Sequence, residues 1–214
     1  MKTVLFDLDG TLLDTLQDIT DSVNYAMRKM GFPEKTREEV RANVGRGVQR
    51  LIAGVIPPGK EEKLEETLSV FRPYYVAHSQ VKSAPYPGVS KAVDRLLRDG
   101  YLCGVLSNKP DQAVKDLAIR FFPGFAVAMG EKEGVAKKPA PDGVYLSLKE
   151  AGGDREACVY VGDSEVDVET ARRAGIPCVA VTWGFRDKEV LKQAGAKLFA
   201  DTPEELCEII QKIL

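Results

Sequence analysis

Val4-Leu5-Phe6-Asp7-Leu8-Asp9-Gly10-Thr11-Leu12-Leu13-Asp14-Thr15 decides how the rest of the chain is read. The apolar run reads as a buried strand, and it ends in two carboxylates followed by a Gly-Thr turn. In an open α/β sheet, ligands bind at the carboxyl ends of the strands. Two acids at such an end repel each other unless a cation or a shared proton holds them. The stretch therefore predicts a strand that carries charged chemistry into a ligand crevice, of the kind used in metal-assisted phosphoryl transfer.

Outward from this strand the chain shows two regimes. Residues 16 to about 82 read as successive helices. Leu16, Ile19, Val23, Met27 and Met30 recur at helical spacing until Gly31 and Pro33. Thr36 with Glu39 resembles a capping box. Asn43-Val44-Gly45-Arg46-Gly47 interrupts, then a short helix carries Leu51, Ile52 and Val55, and a long one from about Glu61 carries Leu64, Leu68, Phe71 and Tyr75.

From Pro85 onward strands alternate with helices. The strands are expected at Leu102–Leu106, Phe125–Met129, Cys158–Val161, Cys178–Val181 and Lys197–Ala200, with a helix before each of the first four and a last helix from Pro203. This alternation predicts a parallel, doubly wound α/β sheet that includes the opening strand. The helical stretch is then an insertion above the crevice, with geometry suited to a lid. Residues 1–14 and 83–214 form the expected core, and 15–82 the expected α-helical cap.

Bulk properties exclude several classes. The 214 residues are 44% hydrophobic and 29% charged, with 30 basic against 32 acidic side chains and a net charge of -2. No global field recruits nucleic acid or an anionic membrane. No apolar stretch approaches the ~20 residues of a membrane span. The N-terminus shows no basic segment with a cleavage site, so a cytoplasmic location is expected. The four cysteines form no C-x-x-C pair and read as free thiols, and the single histidine, His78, cannot build a multi-histidine metal site. The expected partner is a small phosphorylated metabolite, bound by a monomer or homodimer.

Three further strand-end or loop segments bear on chemistry: Ser107-Asn108, Lys137-Lys138-Pro139 and Gly162-Asp163-Ser164-Glu165-Val166-Asp167. Singly each is an ordinary turn, cap or surface group. In a doubly wound sheet, however, they converge with Asp7 and Asp9. Together they supply what phosphoryl transfer requires: a nucleophile, a cation, and donors for the equatorial oxygens.

In Asp7-Leu8-Asp9-Gly10-Thr11, Ser107-Asn108, Lys138-Pro139 and Gly162-Asp163-Ser164-x-x-Asp167 the sequence resembles the haloacid dehalogenase-like superfamily, in its phosphatase branch. Within that branch it looks most like the phosphoglycolate phosphatase group, through Phe6 to Thr15, Tyr86-Pro87-Gly88 and Thr182-Trp183-Gly184. The resemblance covers almost the whole chain and implies a Rossmann-like core with a small helical cap. It also implies Asp7 as nucleophile and Asp9 as general acid and base. Mg²⁺ would sit on the Asp7 carboxylate, the Asp9 backbone carbonyl and Asp163, with Asp167 orienting a metal-bound water or Lys138. Lys138 would offset charge on Asp7 and the phosphoryl group. The Ser107 hydroxyl and backbone N–H groups near Gly10, Thr11 and Asn108 would hold phosphate.

Arg46, in the Gly-flanked cap loop, is expected to contact the carboxylate of an acidic substrate such as 2-phosphoglycolate. Asp9 and Asp163 argue against the dehalogenase branch, and a phospho-acceptor signalling domain would be shorter and uncapped. A β-phosphoglucomutase-like enzyme, an inorganic pyrophosphatase and a non-catalytic phosphate-binding module are the alternatives.

Overall fold

The computed structural model describes residues 1–214. In chain order the elements begin with β1 (Thr3–Phe6) and β2 (Leu13–Asp14), then α1 (Leu16–Lys29), α2 (Arg37–Asn43), α3 (Val48–Val55) and α4 (Leu64–His78). They continue with β3 (Ala84–Pro85), α5 (Val89–Arg98), β4 (Leu102–Pro110), α6 (Asp111–Phe121), β5 (Val127–Glu131), α7 (Asp142–Ala151) and β6 (Cys158–Gly162). The last elements are α8 (Glu165–Ala174), β7 (Cys178–Val181), α9 (Lys188–Gln193), β8 (Leu198–Ala200) and α10 (Pro203–Ile213).

Six strands form one parallel sheet in the order β5-β4-β1-β6-β7-β8. Every residue of β1 and β6 is buried, as expected when helices cover both faces of a parallel sheet. The chain builds outward from β1 to β4 and β5, then returns to the other side of β1 for β6, β7 and β8. β1 is therefore the topological switch point, where a crevice opens at the carboxyl ends. Register aligns those ends: Phe6 lies opposite Val105 on one side and Val161 on the other. The Asp7 N–H continues the ladder to the Val161 carbonyl at 2.8 Å, which fixes the first carboxylate at the sheet's rim.

Helices α1 to α4 gather around an apolar cluster of their own that includes Ile19, Val23, Met27, Ile52, Leu68 and Phe71. The capping box opening α2 is present: the Thr36 hydroxyl accepts from Glu39 N–H at 3.2 Å, and the Glu39 carboxylate accepts from Thr36 N–H at 2.8 Å. The two segments flanking the insertion pair as an antiparallel ribbon, Leu13 opposite Pro85 and Asp14 opposite Ala84. Buried Asp18 ties the returning segment to α1, accepting from the N–H groups of Lys82 (2.9 and 3.0 Å) and Ser83 (2.8 Å) and from the Ser83 hydroxyl (2.7 Å). All four cysteines are free thiols. No helix is long and apolar enough to cross a membrane.

Candidate active site

Asp7, Lys138, Asp163 and Asp167 meet beneath the crevice. Lys138 Nζ lies 2.9 Å from Asp7 Oδ1 and 2.7 Å from Asp167 Oδ1, and donates to the Tyr160 hydroxyl at 3.0 Å. Tyr160 passes its own proton to the Leu106 carbonyl at 2.7 Å, so it can only accept from the lysine. Burial alone would discharge Lys138, but the Asp167 and Asp7 carboxylates hold its pKa well above the ordinary value. Asp167 has no slack: Oδ2 accepts from the Ser164 N–H (3.0 Å) and hydroxyl (2.6 Å), the capping box that opens α8. Its other oxygen, Oδ1, holds the Lys138 ammonium.

Asp7 presents two unlike oxygens. Oδ1 accepts from Leu8 N–H at 2.7 Å and pairs with Lys138, whereas Oδ2 accepts no hydrogen bond from the protein. Burial pushes the Asp7 carboxyl up to about 7, opposed by Lys138 and reinforced by the charges of Asp167 and Asp9. Asp163 is pushed up to about 8 by burial and by Asp167 and Asp7, although Phe185 N–H (2.7 Å) and the Thr11 hydroxyl (2.9 Å) donate to it. Side-chain oxygens of Asp7, Asp163 and Asp167 all lie within 4.8 Å of one another. Three crowded carboxylates against one lysine form a hard-oxygen donor set short of positive charge, which fits Mg²⁺. The Asp9 backbone carbonyl, which accepts no protein hydrogen bond, adds a fourth oxygen nearby.

Asp9 faces away from this cluster. Its Oδ1 accepts from the Thr15 hydroxyl and from Lys109 Nζ, each at 2.6 Å, and its Oδ2 has no protein partner. Lys109 escapes the sequence reading because β4 is expected to stop at Leu106. Instead the strand continues to Pro110 with a register shift, carrying Lys109 inward until its side chain is 1% exposed. Its ammonium sits 4.9 Å from the centre of the Tyr75 ring, contributed by α4 of the insertion. The only signal in sequence is its adjacency to Ser107-Asn108.

The residues expected to hold phosphate divide. The Ser107 hydroxyl has no protein partner and lines the cavity beside Asp7 and Asp9. Asn108 also lines it, but its side chain clamps the backbone of Lys138 (2.9 Å each way) and reaches the Gly45 carbonyl of the insertion at 3.1 Å. Gly10 and Thr11 do not line the cavity. The Gly10 N–H donates to the Leu13 carbonyl at 2.9 Å, and Thr11 N–H to Leu8 at 3.3 Å. These two residues build the turn that cradles Asp163. At Gly10 φ is +83°, and a Cβ there would collide with the Asp163 carboxylate. The expectation for them is corrected: the turn satisfies its own donors.

A cavity of about 40 Å³ separates the sheet's rim from the insertion, room for a few waters or one compact group. Ile19, Val44, Val48, Leu51 and Tyr75 supply its far wall. Arg46 is not in it. Its side chain is 63% exposed, its guanidinium lies 3.4 Å from Glu165, and it flanks a separate surface hollow with Arg50 and Arg186. The side chain expected to meet the substrate therefore does not line this cavity, because the loop turns it outward. Arg186 instead ties the two parts together, donating to the carbonyls of Arg41 (3.0 Å) and Val44 (2.8 Å) while pairing with Glu165 at 3.1 Å.

A parallel sheet with two aspartates at its switch point and a buried lysine beside them is an arrangement suited to phosphoryl transfer. A family model for haloacid dehalogenase-like hydrolases matches residues 4–181, and the chain belongs to that family. A phosphoglycolate phosphatase of Mesorhizobium japonicum is 34% identical over 193 residues, covering 87% of this chain and 85% of the relative. Another from Aquifex aeolicus is 31% identical over 187 residues, 86% of each chain. The crystal structure of a proposed phosphoglycolate phosphatase from Lactobacillus delbrueckii subsp. bulgaricus superposes with a TM-score of 0.92 at 38% identity, covering 98% of both chains.

Proposed function

We propose that this protein hydrolyses a small acidic phosphomonoester, 2-phosphoglycolate above all, through an aspartyl-phosphate on Asp7 and with Mg²⁺ as cofactor. One observation carries the reading. Asp7 keeps one oxygen pinned by Leu8 and Lys138 and the other free, two residues from a second aspartate whose outer oxygen is also free.

Asp7 Oδ2 attacks phosphorus in line, and the bond from phosphorus to the ester oxygen breaks. The departing oxygen takes a proton from Asp9 Oδ2. Water then attacks the phosphorus of the aspartyl-phosphate and gives a proton to Asp9, which releases inorganic phosphate and restores both carboxyl groups. Lys138 offsets the charge gathered on Asp7 and the phosphoryl oxygens, held to the task by Asp167 and Tyr160. The Ser107 hydroxyl donates to a phosphoryl oxygen. Asp7, Asp163 and the Asp9 carbonyl would hold Mg²⁺, which supplies charge neutralisation of the transferring group when bound.

The relatives' names support 2-phosphoglycolate. The test is phosphate release by the purified protein with Mg²⁺ from 2-phosphoglycolate, ethyl phosphate, β-glucose 1-phosphate and pyrophosphate. The highest kcat/KM is expected for 2-phosphoglycolate, with activity lost to EDTA and restored by Mg²⁺. Glucose 6-phosphate as a product, preferred release from pyrophosphate, or no turnover at all would each replace this reading with another.

A further inference from the structure

Lys109 carries more charge than its surroundings use. An ammonium has three donors. Asp9 Oδ1 takes one at 2.6 Å, Tyr75 engages another through its hydroxyl and its ring, whose centre is 4.9 Å away, and no third acceptor lies within hydrogen-bond distance. The side chain is nonetheless 1% exposed. Burying a cation with an unfilled donor is costly unless something else comes to fill it. Lys109 is also the only cationic residue among the thirteen that line the cavity, and the wall opposite is apolar. Arg46, the other candidate cation, points elsewhere.

Resting on the reading of this cavity as a phosphomonoesterase site, we propose that Lys109 recognises the carboxylate of the substrate and bridges it to Asp9. The geometry sets the substrate class. Asp9 must reach the leaving oxygen, and Lys109 Nζ is in hydrogen-bond contact with the same carboxyl group. A substrate anion that meets Lys109 must therefore lie beside the leaving oxygen. The phosphate ester of a 2-hydroxy acid, with its carboxylate on the carbon bearing the ester oxygen, meets that requirement. An ester with its carboxylate one carbon further away does not, and one with no anion leaves the third donor unfilled.

The test compares kcat/KM for 2-phosphoglycolate, ethyl phosphate and the phosphate ester of 3-hydroxypropionate, with Mg²⁺, in the wild type and in Lys109→Met and Lys109→Gln. A charge-assisted hydrogen bond of this kind predicts a preference for 2-phosphoglycolate of about tenfold or more over either comparator. Both variants lose activity on all three esters, because Asp9 loses a partner. The preference itself should shrink by about tenfold or more. Competitive inhibition by glycolate should weaken in the variants more than inhibition by inorganic phosphate. A wild type indifferent to the carboxylate overturns the proposal while leaving the phosphatase reading intact. So does a preference that survives in both variants. A wild type that turns over none of the three overturns both. Should the variants fail to fold, checked by circular dichroism, the wild-type preference and its inhibition by glycolate still decide the matter.

Discussion

The two ends of the cavity are built on opposite plans. At the sheet's rim the charges are fixed: Lys138 has three partners within 3.0 Å, and both oxygens of Asp167 and of Asp163 are occupied. At the insertion's end the wall is aliphatic apart from Tyr75, and the one cation facing it, Lys109 from the end of β4, has a donor to spare. The difference separates two tasks. Stabilising a transferring phosphoryl group requires charges already in place, because rearranging them during reaction is costly. Selecting a substrate requires groups that change partners when it arrives. The rim is therefore rigid and the roof adaptable.

The contrast breaks most directly at Asp7. Asp7→Asn keeps the shape and removes the nucleophile, so kcat should fall on the order of 10⁴-fold or more with the fold intact by circular dichroism. Lys138→Met should cost about 10²- to 10³-fold in kcat for every ester, whatever its tail, because the charge it supplies serves the phosphoryl group alone. Steady-state rates on charged and uncharged esters check that uniformity.

Metal removal sharpens the same point through stability. Asp7 and Asp163 have carboxyl pKa values raised from 3.8 to about 7 and about 8 in the folded, metal-free chain. At these two groups the folded state binds more protons than the unfolded chain from pH 3.8 upward, so the stability they contribute is greatest at low pH and is lost as pH rises through about 7 and about 8. The slope is at most about 1.4 kcal/mol per pH unit for each group. Mg²⁺ should stabilise the protein increasingly over that window, which thermal melts from pH 5 to 9 with and without the ion would reveal.

At the roof the expected effects are smaller. Arg186→Ala removes two donors that hold the insertion's carbonyls and should raise KM up to about tenfold, since each such bond contributes about 1 kcal/mol. Arg46→Ala should change kcat/KM by about twofold or less, as expected for an exposed ion pair. An equal loss for Arg46→Ala and Lys138→Met would erase the distinction between the two ends.

Much of the rim was legible in the sequence because periodicity fixes where strands end. An apolar run such as Val4–Phe6 needs helices on both faces, and its next residue must then lie at the crevice. Asp163 falls at the end of β6 by the same reasoning, whereas Lys138, in the loop before α7, was singled out only by the resemblance of Lys138-Pro139 to a family motif. The roof was not legible. Arg46 and Lys109 are both cations near a turn, and only the path of the backbone decides which one turns inward. Here β4 runs past Leu106 and buries Lys109, while the Gly45–Gly47 loop exposes Arg46. Nothing in the residue types distinguishes them, since lysine is among the least often buried side chains. The turn at Gly10 and Thr11 was misread for a related reason, because whether a loop N–H faces a ligand or its own carbonyls depends on a few degrees of backbone.

Phe185 shows a further limit. Its N–H holds Asp163 while its side chain joins the insertion's apolar cluster, so one core loop touches the carboxylate cluster and the roof at once. Only the folded chain brings those two neighbours to it.

The central claim is that one particular oxygen takes the phosphoryl group. A crystal of the Mg²⁺-loaded protein soaked with beryllium fluoride, a mimic of the acyl phosphate, tests it directly. The predicted result is beryllium bonded to Asp7 Oδ2, with Lys138 and the Ser107 hydroxyl on its fluorines and Oδ1 still held by Leu8. Beryllium fluoride on Asp9, on Asp163, or bound with no bond to any carboxylate would contradict it.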